Sequence, residues 1–156
     1  MSKVVGAVHL FLMMVCNFYA FLFPKSQLDF VFLFYEYGTY LTWTLFEGQC
    51  PISYYYRRWY LPKNSQHKDS IDTNDVLTLF GNKHYGAMKV LLYVGSAFLV
   101  WTFVKVFQRN RIPVLFGLWP FPVYYALTYA HNPWINRVFT LVFLYYIVFV
   151  LRKLWR

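Results

Sequence analysis

The stretch TWTLFEGQCPISYYYRRWY, from Thr42 to Tyr60, changes its chemical character from one end to the other. It begins as the end of a very apolar segment, passes through Glu47 and a Cys50-Pro51 pair, and ends in tyrosines, arginines and a tryptophan. Apolar side chains followed by interfacial aromatics and then by cations are typical of a chain that leaves a bilayer on a basic face. The stretch therefore predicts a membrane protein, and the other segments can be placed relative to it.

The composition of the whole chain indicates the same class of protein. Of its 156 residues, 59% are hydrophobic and 13% are charged, whereas charged residues make up about a quarter of an ordinary soluble domain. The apolar residues are gathered into blocks of roughly 20 residues, the length that a helix needs to cross a hydrocarbon layer about 30 Å thick. Because the blocks show no alternation with a period of two, we expect helices rather than strands.

Five apolar segments divide the chain, and the predicted fold is an all-α polytopic membrane helical bundle in a single domain, residues 1–156. The link between the first two segments is short enough to force an antiparallel hairpin. Pro120 and Pro122 interrupt the fourth segment, so we expect it to be either proline-broken or re-entrant, which leaves four or five transmembrane helices. The segments are residues 4–23, 30–46, 86–107, 114–130 and 134–151, with an extramembrane region at residues 47–85.

The distribution of Lys and Arg separates the two topologies only in part. With Lys89 of the third segment left out of the count, five crossings place seven of the other 14 cations on each side, whereas a re-entrant fourth segment gives nine against five. The positive-inside rule favours the second arrangement, in which both chain termini and residues 47–85 share a basic, cytoplasmic face. Within that region, the residues from Asp72 to Gly81 have the cap, the acids and the glycine stop of a short helix.

Two groups of side chains are candidates for a functional role. His9, Asn17 and Glu36 lie inside apolar segments, where a charged carboxylate costs at least a few kcal/mol unless it is protonated, paired or directed to the protein interior. The simplest interpretation gives Glu36 a hydrogen bond to a tyrosine or to His9, and a proton relay between Glu36 and Glu47 is the functional alternative. The second group is predicted to lie at the membrane interface and to dock partners: Tyr54, Tyr55, Tyr56, Arg57, Arg58, Trp59, Arg152 and Lys153.

The net charge of +9 favours acidic partners for the exposed surfaces. We expect the lipid bilayer and its anionic headgroups as partners, together with proteins that dock on residues 47–85. Specific nucleic-acid binding is not expected, because a membrane belt accounts for the same tyrosines and arginines. Metal-binding, phosphate-cradling and paired-carboxylate motifs are absent from the sequence, so we expect no cofactor, no metal and no catalytic residue.

The motif WTLFEGQCPISYYYRR at residues 43–58 resembles small polytopic membrane proteins of large nucleocytoplasmic DNA viruses. It is also similar to a bacterial membrane family of unknown function that has a Cys-Pro-Leu-Thr segment after its second helix and a histidine in its first. Residues 50–53 and His9 are the corresponding positions here. Neither resemblance implies an activity. The viral one implies a component of the internal membrane beneath a capsid, with basic loops that touch minor capsid proteins or anionic lipid.

The sequence therefore favours a non-enzymatic integral membrane protein that anchors or organises an assembly, for example by linking a virion inner membrane to capsid proteins. The extramembrane region is long enough to dock a partner and too short to fold alone. Two alternatives stay open. One is a membrane redox or haem-binding enzyme that uses His9, Glu36 and Cys50, and the other is a small transporter or channel built on the broken fourth segment.

Overall fold

The computed structural model describes residues 2–46, 51–60, 85–128 and 133–155, and its described residues form helices joined by short links. The all-α prediction is confirmed for this part of the chain. The predicted helix at residues 72–81 lies outside the described residues, as do Glu47 and Cys50. The helices are α1 (Ser2–Leu22), α2 (Leu28–Leu45), α3 (Pro51–Tyr60), α4 (Tyr85–Arg109), α5 (Val114–Leu118), α6 (Pro120–Thr128) and α7 (Pro133–Leu154).

Helices α2 and α7 pack against each other in antiparallel directions. Near the end of α2, the hydroxyl of Thr44 lies 2.7 Å from that of Thr140. Two turns earlier in α2, the ring of Tyr37 stacks on that of Tyr146 with centroids 4.8 Å apart. The α5–α6 segment covers the same pair, since the Tyr37 hydroxyl donates a hydrogen bond to the carbonyl of Gly117 at 2.8 Å.

Helix α1 packs most closely against α4, and these two helices run parallel. The ring centroids of Phe18 and Phe98 are 4.9 Å apart, and those of Phe21 and Trp101 are 6.0 Å apart. The antiparallel hairpin predicted for α1 and α2 is present, with Tyr19 stacked on a phenylalanine of α2 at 4.6 Å. Large rings separate these two helices, so the closest helical neighbour of α1 is not its neighbour in sequence.

The prolines of the fourth segment divide it into α5 and α6 without reversing the chain. Pro120 is the first residue of α6 and Pro122 lies in its first turn, so neither residue donates a backbone hydrogen bond back to α5. Between the two helices, Trp119 keeps helical dihedral angles (φ −54°, ψ −32°). Its N–H still donates to the carbonyl of Leu115 at 3.2 Å. The proline-broken alternative therefore describes this segment.

The fourth segment then follows α7 along most of its length. Phe116 of α5 contacts Phe149 near the end of α7, with centroids 5.6 Å apart, and Tyr124 of α6 contacts Phe139 near its start at 5.2 Å. A re-entrant hairpin would return to the end from which it started. Here the elements alternate in direction, so the start of α1 and the end of α7 lie at opposite ends of the bundle.

We call these ends the N-terminal end and the C-terminal end. The N-terminal end holds the start of α1, helix α3 and the start of α4. The C-terminal end holds the link between α1 and α2, the link between α4 and α5, and the last turn of α7. The prediction that both termini share one face with residues 47–85 does not fit this arrangement, because an odd number of alternating segments separates the two termini.

The core of the bundle is aromatic. Tyr37, Phe107, Tyr124 and Phe143 are fully buried, and Phe121 of α6 is in ring contact with residues of α2, α4 and α7. Offset and edge-to-face ring pairs of this kind each contribute about 0.5–1.5 kcal/mol beyond the area they bury. The aromatic residues thus join the α1–α4 pair to the helices on the other side.

One described helix, Trp134–Leu154, is long and apolar enough to cross a membrane, and 22% of its apolar window is buried within the bundle. Two further apolar helical stretches in the described part, Gly6–Leu22 and Val114–Leu127, are shorter.

Candidate functional site

The three interior residues singled out from the sequence are all buried. His9, Asn17 and Glu36 each expose less than a tenth of their surface. Within the described ranges, the structure adds three more buried polar residues that the sequence had not indicated: Asp29, Thr44 and Thr102.

Asn17 lies at the closest approach of α1 and α4. Its backbone carbonyl accepts a hydrogen bond from the Thr102 hydroxyl at 2.6 Å. Its side chain lies over Gly95, where an added Cβ atom would stand 2.6 Å from the Asn17 Nδ2 atom. The role expected for a glycine in close helix packing is therefore found at this position, and Asn17 links two helices.

Glu36 has a partner that the sequence did not indicate, because its carboxylate interacts with the Cys16 thiol of α1. The hydrogen bond between Glu36 and a tyrosine or His9 stays a prediction. The antiparallel packing of α1 and α2 brings Cys16 to the level of Glu36, a relation that residue spacing within one helix cannot indicate. The relay partner Glu47 lies outside the described residues.

His9 faces the interior of the bundle near the N-terminal end. Among the described residues, no group of three or more His, Cys, Asp and Glu side chains is placed to hold a metal ion. Cys50, the third residue of the redox alternative, lies outside the described residues, as do the other histidines, His67, His84 and His131.

A carboxylate that the sequence placed in a link forms the most extensive polar cluster at the C-terminal end. Asp29 is fully buried in the first turn of α2. Its Oδ2 atom accepts hydrogen bonds from Arg109 Nε at 2.7 Å and from Asn110 Nδ2 at 2.5 Å. Its Oδ1 atom accepts from Arg109 Nη2 and from the Tyr19 hydroxyl, the latter at 3.1 Å. This is a bidentate ion pair with two further donors, the strong form of such contacts.

Arg109 also connects the cluster to the link between α1 and α2. Arg109 Nη1 donates to the backbone carbonyl of Phe23 at 2.9 Å, and its guanidinium carbon lies 5.7 Å from the centroid of the Tyr19 ring. The side chain of Arg109 is 18% exposed, so the charge is largely withdrawn from solvent. The cluster fixes the α1–α2 link to the end of α4.

The end of α4 positions Arg109 through a local turn motif. The N–H of Ile112 donates to the carbonyl of Phe107 at 2.9 Å, and the N–H of Arg111 donates to that of Gln108 at 3.1 Å. These two bonds form a Schellman motif, with Arg111 in the left-handed position at φ 56°. Glycine is the usual residue there, and a non-glycine residue costs roughly 1–2 kcal/mol. The missing glycine explains why the sequence did not indicate this cap.

The tyrosine and arginine stretch forms helix α3 at the N-terminal end. Pro51 begins this helix, and α2 ends earlier in the chain, at Leu45. Tyr55 and Trp59 are exposed and pack ring against ring at 5.2 Å, one helical turn apart. Arg58 Nη1 donates to the Tyr54 hydroxyl at 3.3 Å. The side chains of Tyr56 and Arg57 lie outside the described part.

Arg152 and Lys153 lie at the other end of the bundle from α3. Both are exposed, and the ammonium of Lys153 lies 5.9 Å from the centroid of the Phe149 ring. The predicted docking group therefore divides into two surfaces. The reason is the fourth segment, which runs the length of the bundle and brings the last turn of α7 to the C-terminal end.

No family model, curated protein or solved structure matches this chain. The viral and bacterial resemblances of residues 43–58 stay predictions.

Proposed function

We propose that this chain is a multi-pass integral membrane protein that anchors or organises an assembly without catalysing a reaction. The supporting observation is an inverted distribution of side chains. Large apolar residues point outward from every long helix: Phe11 is 66% exposed, Tyr93 69% and Leu141 70%. Asp29 and Thr102, in contrast, are fully buried. Soluble monomers rarely expose contiguous apolar surface of this extent, so lipid is the solvent that suits it.

Five crossings agree with the alternating directions of the helices. Mean hydropathy undercounts such spans, because it treats inward polar residues such as Glu36 and Thr102 as if they met lipid. Segments shorter than the hydrocarbon layer are accommodated when the bilayer thins locally, at a modest cost per Å of mismatch. Val114–Leu127, with 14 residues, is such a short segment, whereas the neighbouring helix α7 is long enough to cross the membrane.

Helix α3 suits the membrane surface at the N-terminal end. It presents Tyr55 and Trp59 as an exposed aromatic pair, with the exposed cation Arg58 beside them. Amphipathic aromatic rings and cations together are typical of the headgroup layer. This helix begins the region predicted to dock partner proteins, residues 47–85.

An anchoring role is supported by the use that the fold makes of its buried polar groups. The Asp29 carboxylate is bonded to Arg109, and the Thr102 hydroxyl donates to the backbone carbonyl of Asn17. These bonds hold helices together, so the same groups are not available to bind and transform a substrate. In the setting that the viral resemblance implies, the partners are capsid proteins and the membrane lies beneath the capsid.

We expect tags at the two chain termini to lie on opposite sides of the membrane. Five alternating crossings require this, whereas a re-entrant fourth segment requires both tags on one side. Protease protection of each tag in sealed vesicles measures the sidedness, and resistance to alkaline carbonate extraction measures integration. A chain truncated before residue 133 loses one crossing and is the control, with both tags expected on the same side. Release by carbonate would contradict the membrane location itself.

The anchoring proposal predicts that α3 lies against another protein in the native membrane. A photo-crosslinking amino acid at position 59 is expected to give discrete protein adducts, and these are expected to diminish at high salt because cations contribute to the contact. The same probe at position 141, on the outward apolar face of α7, is the control and should label lipid. A lipid-only pattern at both positions, with a monomeric protein in detergent, would remove the support for an anchor.

A further inference from the structure

The C-terminal end of the bundle carries exposed cations from three separate regions of the chain. They lie in the α1–α2 link, in the last turns of α4 and the link after it, and in the last turn of α7. All are exposed to solvent: Lys25, Lys105, Arg111, Arg152 and Lys153. These cations are far apart in the sequence, and they lie at one end because consecutive segments run in opposite directions.

No exposed carboxylate neutralises these cations within the described part of that end. Asp29 is the acidic residue there, and it is fully buried with its charge directed to Arg109. Glu36 is buried further along α2. The remaining acids belong to the segments that join α2, α3 and α4, whose described flanks lie at the N-terminal end: Glu47, Asp69, Asp72 and Asp75.

We propose that this cationic end binds anionic phospholipid headgroups and thereby sets the chain with its C-terminal end in the more anionic leaflet. The inference rests on the proposed membrane location. Headgroups suit the surface because the cations surround helix ends that emerge from apolar faces, and because Trp155 stands exposed beside them. Tryptophan and basic residues at this position mark the headgroup layer. Anionic lipid is concentrated in the cytoplasmic leaflet, so the C-terminal end is assigned to that side.

Native mass spectrometry of the full chain in detergent tests the lipid preference. With phosphatidylglycerol and phosphatidylcholine added in equal amounts, the wild-type protein is expected to retain phosphatidylglycerol preferentially, and less of it at high salt. Arg152→Gln combined with Lys153→Gln is expected to weaken that retention by roughly tenfold or more, since each cation near an anionic surface strengthens binding several-fold. Arg57→Gln combined with Arg58→Gln removes the same charge at the other end, and a smaller loss is expected.

Several results would overturn the proposal. One is equal loss for the two double variants, and another is wild-type retention that does not distinguish the two lipids. Salt-sensitive binding of single-stranded RNA that the Arg152/Lys153 variant abolishes, without a change in lipid retention, would assign the surface to nucleic acid instead. A C-terminal tag on the non-cytoplasmic side would overturn the orientation. A carbonate-resistant protein with no lipid preference contradicts this inference alone, whereas carbonate release contradicts the membrane location.

Discussion

Replacing Asp29 with asparagine is expected to lower the free energy of unfolding by about 3–5 kcal/mol, the usual cost of removing one partner of a buried ion pair. The change keeps the shape of the side chain but leaves the guanidinium of Arg109 without a counter-charge. It also places an NH2 group where Asp29 now accepts from Arg109 and Asn110, so donors would face donors. The partial exposure of Arg109, at 18%, moves the expected cost toward the lower end of the range.

The measurement is unfolding of the purified protein in mild detergent, followed by tryptophan fluorescence against a denaturant. Arg109→Gln and the double variant complete a double-mutant cycle, which isolates the pairwise energy. We expect the double variant to be less destabilised than the sum of the two single ones, because no charge is then left unpaired. Lys25→Gln removes an exposed charge in the same link and serves as the control. If Asp29→Asn behaves like this control, the ion pair does not stabilise the fold.

The approximate limits of the helices in the five apolar segments could be predicted from the sequence, whereas helix α3 was not predicted. Apolar blocks interrupted by polar links determine where a helix must start and end when backbone groups have few other partners. For the fourth segment the sequence allows two arrangements, since two prolines can break a helix or begin one. Pro120 and Pro122 both fall in the first turn of α6, and the chain continues in its direction.

Side-chain partners across helices could not be predicted, because they depend on which helices are neighbours. The rings of Tyr19 and Phe32 lie between α1 and α2, whereas α1 and α4 approach closely enough to bring Asn17 against Gly95. Asp29 and Arg109 are 80 residues apart. One feature of the sequence is compatible with this pair: under five crossings, Asp29 lies at the same end as several cations, among them Arg109.

Gly117→Ala is expected to destabilise the bundle by about 1–3 kcal/mol, the range for overpacking a filled core. An added Cβ atom would lie 2.5 Å from Cζ of Phe107 and within 3 Å of two more atoms of its ring. Phe107 is itself fully buried and stacked on Phe103 at 5.6 Å, so its ring cannot withdraw freely. A shift of α5 instead would lengthen the 2.8 Å hydrogen bond from Tyr37 to the Gly117 carbonyl.

Gly38→Ala is the matched control, because no atom lies within 4 Å of the Cβ position at this helical glycine. Alanine favours a helix interior over glycine by roughly 0.5–1 kcal/mol, so this variant should be neutral or more stable in the same unfolding measurement. Combining Gly117→Ala with Phe107→Leu shortens the opposing side chain and is expected to recover part of the loss. Equal effects of Gly117→Ala and Gly38→Ala would mean that α5 does not seat against α4 as the contact with Phe107 requires. Alanine is expected to change the stability in opposite directions at these two glycines. The difference follows from packing alone, since both glycines lie in helices and neither supplies a turn.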